Sequence, residues 1–168
     1  MLKTVKTLSI QMMLFLGVSQ LSSQSNAQTI SGALDDLERG KVAKALKDLK
    51  KLADRGDSYA SFVLGDIYVQ GDSVKQNDKE AMKWYRISSK LGNPDAQFKL
   101  GLTYIDGVNI PRDTKKAYLW VYISHKEIDY ASVRDSLLDI ERKLSPQEVL
   151  RLKREAERCI AENYKNCD

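Results

Sequence analysis

The stretch ASFVLGDIYVQG, beginning at Ala60, returns 36 positions later as AQFKLGLTYIDG, beginning at Ala96. The identities are spaced, not continuous. Ala60 matches Ala96, Phe62 matches Phe98, Leu64-Gly65 matches Leu100-Gly101, Tyr68 matches Tyr104, and Gly71 matches Gly107. At the same offset Ala81 matches Ala117, Trp84 matches Trp120 and Ser88 matches Ser124, while Gly56 and Ala45 answer Gly92 and Ala81 on the other side. The match fades after about Asp129, although ASVRDSLLDI keeps the apolar spacing. A fixed period of this length marks a stack of repeated units, each too small to bury its own apolar face. No stretch alternates polar and apolar residues for long, so the chain is expected to be all-α.

Each unit reads as two helices. In the first, Ala60, Leu64, Ile67 and Tyr68 recur at helical spacing. Gly71 stops that helix and DSVKQ makes the turn. Asn77 is a cap for the second helix, with Glu80 placed as its capping-box partner. Ala81, Trp84, Ile87 and Ser88 form the buried stripe, and Gly92 ends the helix. Gly65 and Gly101 stand mid-helix, where glycine costs roughly 1 kcal/mol against alanine. Their recurrence points to close approach of two helices.

These residues resemble the Sel1-like repeat family. The family scheme of an alanine, LG, a tyrosine and glycine three apart, a loop, KA, a tryptophan and a closing glycine is met by Ala60, Leu64-Gly65, Tyr68, Gly71, Ala81, Trp84 and Gly92. It is met again by Ala96, Leu100-Gly101, Tyr104, Gly107, Lys116-Ala117 and Trp120. The loops GDSV and GVNI lack the second glycine, and His125 and Glu127 replace small residues. The resemblance implies a right-handed α-solenoid of helix–turn–helix repeats with helical caps, its first helices lining the concave side. The expected units are 57–92 and 93–128, with a partial repeat or cap over 28–56 and a degenerate repeat with a capping helix over 129–168. Four helical pairs exceed the roughly three that such a stack needs.

The first 27 residues read differently. MLKTVK is basic, TLSIQMMLFLGVS is apolar, and Ser25 and Ala27 stand at the small-residue positions of a cleavage site. A secretory signal peptide cut after Ala27 is expected, giving a mature chain that starts at Gln28 in the periplasm or outside the cell. A membrane anchor is the weaker reading, because the apolar run falls short of the roughly 20 residues needed to span. Cleavage would remove Lys3 and Lys6, lowering the formal charge from +4 to +2, which gives no basis for nucleic-acid binding.

Two cysteines, Cys159 and Cys167, lie near the C-terminus. An even count in a small exported chain favours a disulfide. On one straight helix they would sit about 12 Å apart, too far to bridge. The helix starting at Ser145-Pro146-Gln147-Glu148 must therefore end near Glu162 or Asn163 and the chain must turn back. Its apolar face is Val149, Leu152, Ala156 and Cys159. Zinc binding is the rival reading, but two cysteines without a nearby histidine make a poor site.

No chemistry-bearing motif stands out. The chain has one histidine, His125, at a helix end, where a solvated or dipole-pairing role is the ordinary one. GxSxG, HExxH and a glycine-rich phosphate loop are absent. Asp35 and Asp36 suggest paired carboxylates, but adjacent helical residues do not face each other, and they read as a solvated cap. Trp84 and Trp120, one per repeat, read as core or groove wall. KALKDLKK reads as a solvated face, although lysines there also suit acidic headgroups. No catalytic residue, metal or cofactor is expected.

The resemblance implies a non-enzymatic module that binds a protein client, such as a secreted toxin, a sensor-kinase ectodomain or an envelope assembly component. The enzymatic alternative is a penicillin-binding or β-lactamase-like activity, linked to cysteine-rich relatives that share the seven-residue gap but carry a pair in every repeat. Since core positions repeat, specificity must come from positions that change between units: Tyr59 to Asp95, Ser61 to Gln97, Val63 to Lys99, Asp66 to Leu102, Ile67 to Thr103, and Gln70 to Asp106. Val63 and Ile67 suit packing. Tyr59 is the expected anchor, with Asp66, Gln70, Lys99 and Asp106 as polar selectors around it.

Overall fold

The computed structural model describes residues 30–107, 110–165 and 167. The expected leader, its cleavage after Ala27 and part of the GVNI loop lie outside the described residues. These form eight α-helices and no strand: α1 over 30–38, α2 (Val42–Asp54), α3 (Ser58–Gln70), α4 (Asp78–Lys90), α5 (Pro94–Asp106), α6 (Thr114–Glu127), α7 (Ala131–Glu141) and α8 (Pro146–Ala161). The fold is the expected α-solenoid. Contacts divide the chain into two compact units, one ending at Asp48 and the other beginning at Leu49.

In the second unit α4 packs on α3 and α5, and α6 packs on α5, α7 and α8. The period is written in hydrogen bonds as well as side chains. Asp57 and Asn93 cap the two first helices, each accepting an N–H three residues on, from Ala60 and Ala96, at 2.9 Å. Gly71 and Gly107 close them with φ of 74° and 68°, a left-handed turn that glycine adopts without penalty. The Asn77 N–H then donates to the Tyr68 carbonyl at 2.9 Å, and Asp113 repeats this with Tyr104 at 3.0 Å. The buried Ser88 hydroxyl donates to the Ser58 carbonyl at 2.7 Å, and Ser124 to Pro94 at 2.8 Å. A hydroxyl at this site ties the end of each second helix to the start of its own first helix.

The mid-helix glycines do mark close approach. A Cβ on Gly65 would stand 2.5 Å from the Tyr85 ring, and one on Gly101 would stand 2.5 Å from Val121 Cγ2 and 3.2 Å from two backbone atoms of α6. Tyr85 and Val121 are themselves 36 positions apart. Both tryptophans are buried, with no hydrogen-bond partner for either indole nitrogen among the described residues, so the rings serve as core volume.

The structure differs from the sequence reading at three places. Asp36 is not solvated as a cap residue: only 6% of it is exposed, and it pairs with Lys44 and, at 3.6 Å, with Lys41, while Asp35 is exposed. The two lysines hold its carboxyl below the usual carboxylate range, the Lys44 hydrogen bond first. At α4 only half of the capping box forms. Asn77 accepts the Glu80 N–H at 3.2 Å, while the Glu80 carboxylate lies 3.7 Å from Lys83. Ile87 is only half-buried, whereas Met82, Tyr85 and Ser89 are buried. The second helix touches a neighbour on each side, so its buried face is wider than one stripe.

Candidate protein-binding surface

A run of aromatic rings starts at the surface of the first helix of repeat one and leads inward to α4. Tyr59, in the first turn of α3, is 48% exposed. Its ring lies 6.1 Å from Phe62, which lies 6.0 Å from Tyr85 on α4, within the range of favourable tilted aromatic pairs. The Tyr85 hydroxyl donates to Asp66 Oδ1 at 2.5 Å. Burial, with the Asp66 carboxylate in support, pushes the phenol well above its ordinary value, so Tyr85 stays a neutral donor. Gly65 leaves the room that this ring needs. The run therefore passes from a solvent-facing anchor to a buried, hydrogen-bonded ring.

Beside it, between α3, α4 and α5, is a hollow of about 150 Å³. Ala81, Met82 and Tyr85 form its floor, with Val69, Thr103 and Asp106 at its edge. The five polar and aromatic residues singled out from the sequence are thus distributed. Asp106 lines the hollow and is exposed. Asp66 is held by Tyr85 and positions that ring. Gln70 and Lys99 are exposed on their helices, and Tyr59 stands at the far end of the aromatic run. Val63 and Ile67 are packed, and Ser61 and Gln97 are fully buried. Tyr85 and Val69 were not among the expected surface residues. The sequence shows that Tyr85 gives way to Val121 in the second unit, but only the structure sets the two opposite the repeated glycines.

At the C-terminal end the expected reversal is present. Helix α8 starts with a complete Ser145–Glu148 capping box and ends at Ala161. Asn163 and Tyr164 then take φ of 51° and 60°, both left-handed, and the Tyr164 N–H bonds the Cys159 carbonyl at 2.9 Å. The reversal brings Cys159 and Cys167 to a Cα separation of 5.3 Å, and they are disulfide-bonded. The Tyr164 ring rests on Gly92, where a Cβ would come within 2.9 Å of it, and its hydroxyl donates to Glu127 at 3.4 Å. The terminal loop is therefore seated on the boundary between the two repeats.

His125 lies in the last turn of α6, its Nδ1 3.9 Å from Asp129. Among the described residues there is no cluster of three or more side chains suited to hold a metal ion, and no helix is long and apolar enough to cross a membrane. What the surface offers is shape, aromatic area and charge.

The Sel1 repeat family model matches residues 58–93 and 94–122. No curated protein matches the chain. Among solved structures, a protective antigen present in uropathogenic Escherichia coli strains, displaying an SLR fold, superposes with a TM-score of 0.72 at 21% identity, over 84% of this chain and 31% of its own. A Sel1 repeat protein from Oxalobacter formigenes superposes with a TM-score of 0.54 at 26% identity, over 62% of this chain and 42% of its own. The chain thus spans less than half the length of either. The repeated sequence residues, the repeated hydrogen bonds and the family match agree: this chain carries two tandem Sel1 repeats, the building unit of an α-solenoid that typically serves protein–protein interaction.

Proposed function

We propose that the protein is an exported, non-enzymatic adaptor, inhibitor or immunity-type module that holds a protein client against the first helices of its Sel1 repeats. The observation that carries this reading is the aromatic run Tyr59–Phe62–Tyr85 beside the hollow edged by Val69, Thr103 and Asp106. Tyrosine is enriched at interface anchors because it gives a large rigid face and a hydroxyl at low entropic cost. Asp66 keeps the innermost ring in place before any client arrives, which lowers the cost of binding. Lys99 and Asp106, of opposite charge on one helix, select by complementarity. Export is supported by the leader-like first 27 residues and by the disulfide, which persists in an oxidising compartment.

The test has two parts. Sequencing the mature N-terminus should find Gln28 or a near neighbour; a retained Met1 in a cytosolic fraction removes export from the proposal. Affinity capture from the periplasm with wild type and Tyr59→Ala should then yield a protein held by the first and lost from the second. In calorimetry the substitution should weaken that client by at least about 1 kcal/mol, the usual level for a contributing interface residue. A client held equally by the Tyr59, Lys99 and Asp106 variants uses another face.

A further inference from the structure

The second helices carry a different surface. In the second unit the first helices are acidic on balance: α3 has Asp66 and no cation, and α7 has Asp135, Asp139 and Glu141 against Arg134. The second helices are basic on balance, and their cations gather around two hollows. One, of about 230 Å³, has Met82 and Ile110 as apolar floor and Lys79, Lys83 and Arg86 as rim, with Asp78 the one acid. The other, of about 260 Å³, has Leu119 and Leu152 as floor and Lys115, Lys116 and Arg151 as rim, with Asp113 and Glu155 opposing them. Tyr104 joins the two. Arg86 donates to its hydroxyl at 3.1 Å, and the Lys116 ammonium lies 5.5 Å over its ring. Some of these charges are committed on both sides: Asp113 caps α6 and Asp78 accepts from Gln76, while Lys83 pairs with Glu80 at 3.7 Å and Lys115 with Glu148 at 3.2 Å. Lys79 and Arg151 are exposed and have no intramolecular partner among the described residues.

We infer that this band across α4, α6 and α8 is a second docking surface, which meets the hollow beside the Tyr59 run at Asp78 and Met82 and extends away from it, and that it takes an acidic, extended protein segment bearing apolar side chains between its carboxylates. Charge complementarity selects the acid. Each hollow, apolar below and cationic above, admits an aliphatic or aromatic side chain and places a neighbouring carboxylate at the rim. A peptide fits better than a bilayer, because none of the exposed large apolar side chains, Tyr59, Val69, Leu91, Tyr130, Leu138 and Leu150, lines either hollow to enter the membrane interface. It fits better than a nucleic acid, because Tyr104 is buried and Lys116 covers its ring, so no base can stack there.

The test uses the mature protein and a fluorescein-labelled peptide in which glutamates flank a central leucine, read by anisotropy at low ionic strength. Saturable binding is expected, and the paired charge reversal Lys79→Glu with Arg151→Glu should weaken it about tenfold. Lys126→Glu makes the same kind of charge change in the last turn of α6 away from both hollows, and should leave affinity unaltered. Replacing the leucine by glycine should also weaken binding. Circular dichroism on each variant confirms that the helices persist. No saturable binding to wild type, equal losses for Lys126→Glu and the paired reversal, or binding to phosphatidylserine vesicles in place of the peptide each overturns the inference. Tyr59→Ala should leave peptide affinity unchanged, so failure of this surface and failure of the Tyr59 face are read separately.

Discussion

The two repeats share one frame and differ in what they place inside it. Caps, glycine turns, the bond from Asn77 or Asp113 to a tyrosine carbonyl, and the serine bond back to the first helix recur at an offset of 36. Opposite the repeated glycine, however, repeat one sets Tyr85 and repeat two sets Val121. The change is matched across the helix pair. Asp66, which accepts from Tyr85, corresponds to Leu102. A polar pair in one unit is an aliphatic pair in the next. The backbone bonds are indifferent to this exchange, so it is free to shape the surface. The second helices differ too. In α6 every residue from Ala117 to Ser124 is buried, because α5, α7 and α8 all press on it, whereas α4 keeps Lys83 and Arg86 in solvent.

The glycine slot is where the comparison breaks most visibly. Gly101→Leu should cost about 3 kcal/mol or more, since the new side chain meets Val121 and α6 backbone that has nowhere to go. Gly65→Leu should cost less, about 1–2 kcal/mol, because Tyr85 can swing aside. Urea denaturation of both variants checks the order, and equal losses would show that the two slots are not filled differently. Next comes the terminal clip. Cys159→Ser with Cys167→Ser should lower stability by about 2–3 kcal/mol, the loop-closure contribution of so short a ring. It should release Tyr164 from Gly92 while the helical signal of the central repeats persists, as hydrogen exchange would show.

A smaller effect tests the polar pair. Tyr85→Phe keeps the ring and removes its bond to Asp66, for a loss of about 1 kcal/mol. A loss near zero would leave the Asp66–Tyr85 bond without weight in the first repeat. The smallest effect is a pH slope. At the start of α8 the Ser145 N–H and hydroxyl, with Lys115 behind them, lower the Glu148 carboxyl from 4.5 to about 2. The folded value lies below the unfolded one, so this contribution is whole above pH 4.5 and is lost as pH falls from there to about 2. Glu148→Gln should flatten wild type's fall in urea midpoint over that interval, and parallel curves for the two proteins would remove Glu148 as its source.

Much of this is legible in the sequence alone. Helical period, glycine stops and the Ser145 capping box are local patterns, and local patterns report which residues can share a face or end a helix. Even the terminal reversal followed from two cysteines that a straight helix cannot join. The polar pair was not legible in the same way. Asp66 reads as a surface selector until Tyr85, 19 positions away, is seen to hold it. Asp36 reads as solvated until Lys44 folds over it. In each case the partner stands on the next helix, and its distance in sequence carries no local signature.

The sequence by itself determined the period, the helix limits, the need for glycine at residues 65 and 101, and the disulfide. The period and the helix limits follow from the stereochemistry of one helix or one loop; the glycines report a close helix approach by their recurrence, and the disulfide follows from an even cysteine count with a helix that must turn back. Only the tertiary structure decided that α6 is buried all round from Ala117 to Ser124, that Tyr164 sits on Gly92, and that cations of three second helices gather around two hollows. A helix's own pattern shows its most apolar face, but how much of the remaining surface meets protein depends on how many neighbours pack against it, and that is set by the whole stack.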